Sequence, residues 1–144
     1  MQSAVEKESL PPVRNHKDLI VWQKSMTLVK SIYIVTERFP QKERYRLVDQ
    51  LCRAAISIPS NIAEGSSRKS TKEFIRYINI AHGSLAEVET QLTLAFELGY
   101  ISAGDLKPVF DQIVEIGKML NALHNALQKK LTALRTPHSA LSES

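Results

Sequence analysis

Seven basic side chains crowd the middle of the chain: Arg44, Arg46, Arg53, Arg68, Lys69, Lys72 and Arg76. Guanidinium and ammonium groups are the donors that phosphate oxygens need, and phosphate neutralisation is the sequence-independent part of nucleic-acid binding. Lys72 and Arg76 stand four apart and share one helix face. Arg68 and Lys69 lie just before the free amides of a helix N-terminus, which also favour anions. Tyr45 and Tyr77 are close by and suit base stacking if exposed. The surrounding charge is segregated. Residues 38–76 hold nine Lys/Arg against four Asp/Glu, whereas residues 77–115 hold one against six. Such a layout serves an anionic partner at one face, or self-assembly between opposite faces. A solvated face with ion pairs to Asp49 and Glu73 would use the same residues, so composition leaves both readings open.

Catalytic and metal chemistry find less support. A di-iron bundle needs Glu-x-x-His on two helices, with carboxylates to bridge the metals. Here the matching offsets are Asn79 with His82 and Asn121 with His124, and a neutral amide is a poor bridging ligand. There is no metalloprotease motif, phosphate-cradling glycine loop or nucleophile elbow. The single cysteine, Cys52, excludes an internal disulfide and reads as a small structural hydrophobe. No enzyme activity, metal or other cofactor is expected.

These residues must be positioned by helices. The chain has 144 residues, 43% of them hydrophobic and 24% charged, with a net charge of +4. That is one domain of ordinary globular composition. The longest aliphatic or aromatic run, Leu19 to Trp22, is too short to span a membrane. The opening MQSAVEKESLPP lacks the apolar stretch of a secretory signal, so a cytoplasmic chain without membrane contact is expected.

Apolar periodicity predicts four helices. The first, over about 18–38 with Asp18 as N-cap, carries Leu19, Trp22, Met26, Val29 and Tyr33 on one stripe. Val21, Leu28, Ile32, Val35 and Phe39 lie beside it. Ile20, Thr27 and Ile34 fall seven apart away from both stripes, which fits either a broad core-facing helix or a subunit interface. The second helix, about 43–66, turns Leu47, Leu51, Ala54, Ala55, Ile58 and Ile62 inward. The third opens on a capping box, Ser70 to Glu73, and stops at Gly99. The fourth opens at Ser102 and repeats Leu106, Ile113, Leu120, Leu127 and Leu134 every seven residues, until Thr136-Pro137 ends it. Short connections make neighbours antiparallel. The expected fold is therefore all-α, an antiparallel up-down-up-down four-helix bundle over 16–135. A flexible, disordered arm at 1–15 and tail at 136–144 flank it.

One stretch breaks the pattern. Pro59 sits inside the second helix, where it removes the bond to the Ala55 carbonyl and costs about 3 kcal/mol unless the helix kinks. Asn61 falls on the inward face and needs polar partners, with Ser84, Glu87 and Gln91 as candidates. A buried tie that fixes register is the favoured reading over a ligand site.

The strings HKDLIVWQKS and RAAISIPSNIAEGSSRKSTKEFIRYINIAHGSLAEVETQL closely resemble the four helix bundle protein family, also called the 23S rRNA intervening-sequence protein family. The resemblance covers residues 16–130 and implies a four-helix bundle assembled as a closed ring, a pentamer. Its signature positions fall here on Asn61, Glu64, Gly65, Ser84 and Glu87, with no catalytic role attached. The family is distantly similar to the accessory variability determinants of diversity-generating retroelements, which bind nucleic acid and a reverse transcriptase. The combined expectation is a non-enzymatic homo-oligomer that binds RNA or DNA through phosphate contacts from the seven basic residues. The alternative is an adaptor that recruits a protein partner through the acidic face of the third and fourth helices.

Overall fold

The computed structural model describes the backbone over residues 15–143 and side chains as far as residue 134. A 3-10 turn at His16–Asp18 leads into α1, Ile20–Thr36. A second 3-10 turn at Gln41–Glu43 precedes α2, Leu47–Ser66; α3 is Thr71–Glu97 and α4 is Ala103–Glu143. No strand occurs among the described residues.

Side-chain chemistry sets most of the boundaries. Asp18 is not the N-cap of α1. It belongs to the preceding turn, which Asn15 caps by accepting from the Lys17 amide at 2.9 Å, and Leu19 stands at the start of α1. The second helix starts later than expected because residues 41–43 wind as a 3-10 turn. Ser70 does cap α3, accepting from the Glu73 amide at 3.2 Å. The Glu73 carboxylate turns to Arg76 instead, at 3.7 Å. Gly99 takes φ +79°, a conformation that favours glycine, and closes α3. The Tyr100 amide reaches the Ala95 carbonyl and the Gly99 amide that of Phe96, so two end carbonyls are satisfied. Ser102 then caps α4 through the Asp105 amide at 3.1 Å.

The expected stop of α4 at Thr136-Pro137 is not kept, because the helix runs on to Glu143. Proline fixes φ at about −65°, within the helical range, so a helix can pass through it at a cost of about 3 kcal/mol. The expected N-terminal arm lies outside the described residues except at Asn15.

Each helix packs on its chain neighbours, and α1 closes against α4. The diagonal pairs α1–α3 and α2–α4 make no close backbone approach. Contact order along the helices makes adjacent pairs antiparallel. Ser57 meets Ser84 while Gly65 meets Tyr77, and Leu85 lies by Gly117 while His82 meets Asn121. Arg38 pairs with Asp105 and Lys24 with Glu115 in the same reversed sense. Trp22 and Met26 flank Pro59 and Ala63, while Thr36 flanks Val48 and Cys52.

The core is aliphatic: Leu28 and Ile32, Leu51, Ile58 and Ile62, Ile78, Val88 and Leu92, Ile116 and Leu120 are all fully buried. Burial of such side chains contributes about 1.5–3 kcal/mol each before chain entropy is counted. On α1 the stripe through Leu28 and Ile32 faces the core. The Trp22–Met26–Val29–Tyr33 stripe lies instead along the outer groove between α1 and α2, and Tyr33 is half-exposed there. Ile20, Thr27 and Ile34 are exposed, so a broad core face does not account for them.

Candidate nucleic-acid interface

The expected basic patch divides in two. Arg68, Lys69, Lys72 and Arg76 gather at the turn between α2 and α3. Arg44 and Arg46 lie before the other end of α2, and its 20 residues put about 30 Å between the groups. Arg53 lies between them and is paired with Asp49 at 3.2 Å.

The α2–α3 end is built from Gly65 outward. Gly65 is buried, and a Cβ there would lie 2.7 Å from Tyr77 Cβ and 2.9 Å from Phe74 Cδ1. The missing side chain lets the first turns of α3 press on α2 and seats Tyr77. Both neighbouring guanidinium groups lie over its ring, Arg68 at 5.2 Å and Arg76 at 4.8 Å from the centroid. Arg68 Nη2 also donates to the Tyr77 hydroxyl at 3.1 Å and to Glu64 Oε2 at 2.6 Å. The Tyr77 charge, its hydrogen bond and Glu64, in that order, hold Arg68 more firmly protonated than usual. Lys69 and Lys72 are exposed and have no ion-pair or hydrogen-bond partner among the described residues. Two anchored arginines thus flank two lysines whose ammonium groups are unengaged. Tyr77 is half-buried and already covered by cations, so it is not the free stacking surface expected of it.

The signature positions take distinct roles. Glu64 anchors Arg68, and Gly65 provides the close approach. Asn61 does not reach another helix directly. Its Nδ2 donates to the Ser57 carbonyl at 2.8 Å and to Ser57 Oγ at 2.9 Å, while the Ser57 and Ser84 hydroxyls bond at 2.8 Å across α2–α3. The register tie is therefore Asn61–Ser57–Ser84. Ser57, absent from the expected partners, stands four before Asn61 on the same face, and that spacing is the signal for it. Glu87 is exposed without a partner among the described residues, and Gln91 Oε1 is buried without one.

One of the two candidate histidines, His82, finds a structural use. His82 Nε2 and Asn121 Oδ1 lie 3.1 Å apart and tie α3 to α4. No group of three or more His, Cys, Asp or Glu among the described residues could share a metal ion. Burial, outweighing the opposing effect of Thr36, pushes the half-buried Cys52 thiol up. That makes it less of a nucleophile at neutral pH.

On the acidic side, Asp105, Asp111 and Glu115 pair with Arg38, Lys107 and Lys24. Glu87, Glu89 and Glu97 on α3 are exposed and unpaired among the described residues. No described helix is long and apolar enough to cross a membrane.

The four helices pack as an all-α bundle. The model of the 23S rRNA-intervening sequence protein family matches residues 17–122, and the chain belongs to that family. A solved structure from Bacteroides thetaiotaomicron, of a protein with unknown function from the S23 ribosomal protein family, is similar to it. The TM-score is 0.67 at 25% sequence identity, over 74% of this chain and 96% of the other. None of the curated proteins compared with the chain matches it.

Proposed function

We propose that the protein is a non-enzymatic, homo-oligomeric bundle of the cytoplasm that binds RNA or DNA through phosphates at the α2–α3 end. The observation that supports this most is the unengaged pair Lys69 and Lys72, set between arginines held over Tyr77. Arg44, Arg46 and Arg53 would extend contact along α2. Oligomerisation rests on Ile20 and Ile34, 54% and 60% exposed on a face of α1 that the bundle does not cover. A pentameric ring, as the family resemblance implies, would repeat the basic end five times.

The test is anisotropy of a labelled duplex DNA and a structured RNA, from about 50 to 200 mM salt. For the duplex, log K falls with log salt at about 0.9 per phosphate neutralised. Lys69→Glu with Lys72→Glu is expected to weaken binding sharply and flatten that slope by roughly 1.8 for each copy in contact with the duplex. Unchanged affinity and slope would remove this end from the interface.

A second reading has its own support. Glu87, Glu89 and Glu97 are unpaired among the described residues, and Ile80 and Leu94 on the same helix and Leu98 at its C-cap are half-exposed. Such a mixed surface suits a protein partner, making the assembly an adaptor. Capture of partners that survives nuclease treatment and is lost on Glu87→Lys with Leu94→Ser favours the adaptor.

A further inference from the structure

The basic group before α2 carries a chemistry that the α2–α3 end lacks. Tyr45 is 85% exposed, the most exposed of the large apolar side chains among the described residues. Arg44 and Arg46 flank it, and Lys42 stands just before; all three are exposed. Neither Tyr45 nor Arg44 has a side-chain partner among the described residues.

The backbone beneath this ring is nevertheless well tied. The Glu43, Arg44 and Arg46 amides bond to the carbonyls of Pro40, Gln41 and Glu43 at 2.9–3.1 Å. The Glu43 carboxylate also accepts from the Tyr100 hydroxyl at 2.8 Å, which fastens the turn to the α3–α4 connection. An aromatic ring therefore stands in solvent on an anchored turn, between two exposed arginines adjacent to it in the chain. Tyr77, half-buried under two guanidinium groups, cannot offer this.

We propose that Tyr45 is a stacking platform for an unpaired nucleobase, with Arg44 and Arg46 on the flanking phosphates. The proposal rests on the nucleic-acid reading above and adds a ligand class, single-stranded nucleotide, at a second site. Stacking needs a π-face that a paired base hides inside its helix, so this site is selective for unpaired segments. Its arginines neutralise phosphates in either chain type, and the ribose hydroxyl is the only difference available to them.

The experiment measures anisotropy of labelled single-stranded 12-mers, RNA and DNA of one sequence, and of the matched DNA duplex at about 50 mM salt. The proteins are wild type, Tyr45→Ala, Tyr45→Phe and the Lys69→Glu/Lys72→Glu variant. Tyr45→Ala is expected to weaken single-strand binding roughly ten- to hundredfold and Tyr45→Phe to keep it. Duplex affinity should stay within about twofold in both, since phosphate contacts supply that term. An RNA-over-DNA preference lost in Tyr45→Ala also supports the site, with RNA as the source of the base. If Tyr45→Ala binds the single strands like wild type while Lys69→Glu/Lys72→Glu loses the duplex, the stacking site is overturned and the proposed function stands. If wild type binds none of the three, both fall. Equal losses in Tyr45→Ala and Tyr45→Phe, or a changed sedimentation mass with single-strand affinity intact, assign Tyr45 to another contact and overturn the proposal.

Discussion

At the residue scale, two glycines make opposite predictions from the same substitution. Glycine in a helix interior costs about 1 kcal/mol relative to alanine. Around Gly83 an added Cβ meets nothing within 4 Å, so Gly83→Ala should stabilise the protein by about 0.5–1 kcal/mol. At Gly65 the same Cβ would lie 2.7 Å from Tyr77 Cβ, an atom fixed to the backbone of α3. Overpacking of that kind costs about 1–3 kcal/mol, which outweighs the propensity gain. Gly65→Ala should therefore lower the urea midpoint while Gly83→Ala raises it. Equal shifts in one direction would show that the helices are not held so closely.

Tyr100 supplies a pH signature at the same scale. Its hydrogen bond to Glu43, then burial, then the Glu43 charge push the phenol up, against a smaller opposing effect of Arg46. A raised pKa means that the contact stabilises fully below the unfolded value of about 10 and is lost as pH rises through the folded value. Wild type should be more stable than Tyr100→Phe at neutral pH, and the difference should close at alkaline pH. A constant gap in urea midpoint across that range would disconnect the phenol proton from stability.

At the element scale, the α2–α3 pair is held in register by a short polar chain rather than one bond. Ser84→Ala leaves Ser57 bonded to Asn61, so it should cost about 1 kcal/mol. Ser57→Ala strands the buried Ser84 hydroxyl and takes an acceptor from Asn61, and should cost about 1–3 kcal/mol. The double variant should cost little more than Ser57→Ala, since the groups share one network. Strict additivity in chemical denaturation would argue against that network.

The same pair shows what the amino-acid order could and could not tell. The apolar period located α2, α3 and the register of α4, because burial of one stripe is a local property of the sequence. Ser70, Gly99 and Ser102 marked their boundaries because caps act within a turn. Asp18 misled because two cap-type residues, Asn15 and Asp18, stand three apart and a 3-10 turn took the first. The division of the basic patch was hidden for another reason. Arg46 and Arg68 are 22 positions apart, and only a continuous α2 through Pro59 turns that into opposite ends of a helix. The cation cover on Tyr77 comes from its neighbour Arg76 and from Arg68 in the α2–α3 turn, a side-chain placement that periodicity does not encode.

At the scale of the whole molecule, the basic end of one chain is modest. Arg68 and Arg76 already share carboxylates with Glu64 and Glu73, so Lys69 and Lys72 are the cations there without a counter-charge among the described residues. A protein that neutralises two phosphates gains little at moderate salt, because affinity scales with the counterions released. The proposed assembly would change this. Copies held together meet the same strand at high effective concentration, and such linkage raises avidity by about 10²–10⁴ without any new contact. A surface suited to that assembly is the α1 face with Ile20 and Ile34, where a carboxylate would be desolvated on contact. Ile20→Glu with Ile34→Glu should leave the helical circular dichroism intact, since neither side chain belongs to the core, and reduce the sedimentation mass to that of one chain. The same variant, with all seven basic residues in place, should bind duplex DNA at least about a hundredfold more weakly than wild type. Retained affinity in a chain shown to be monomeric would mean that a single chain suffices, with the unpaired lysines acting together with Arg44, Arg46 and Arg53 at the far end and along α2 on one ligand.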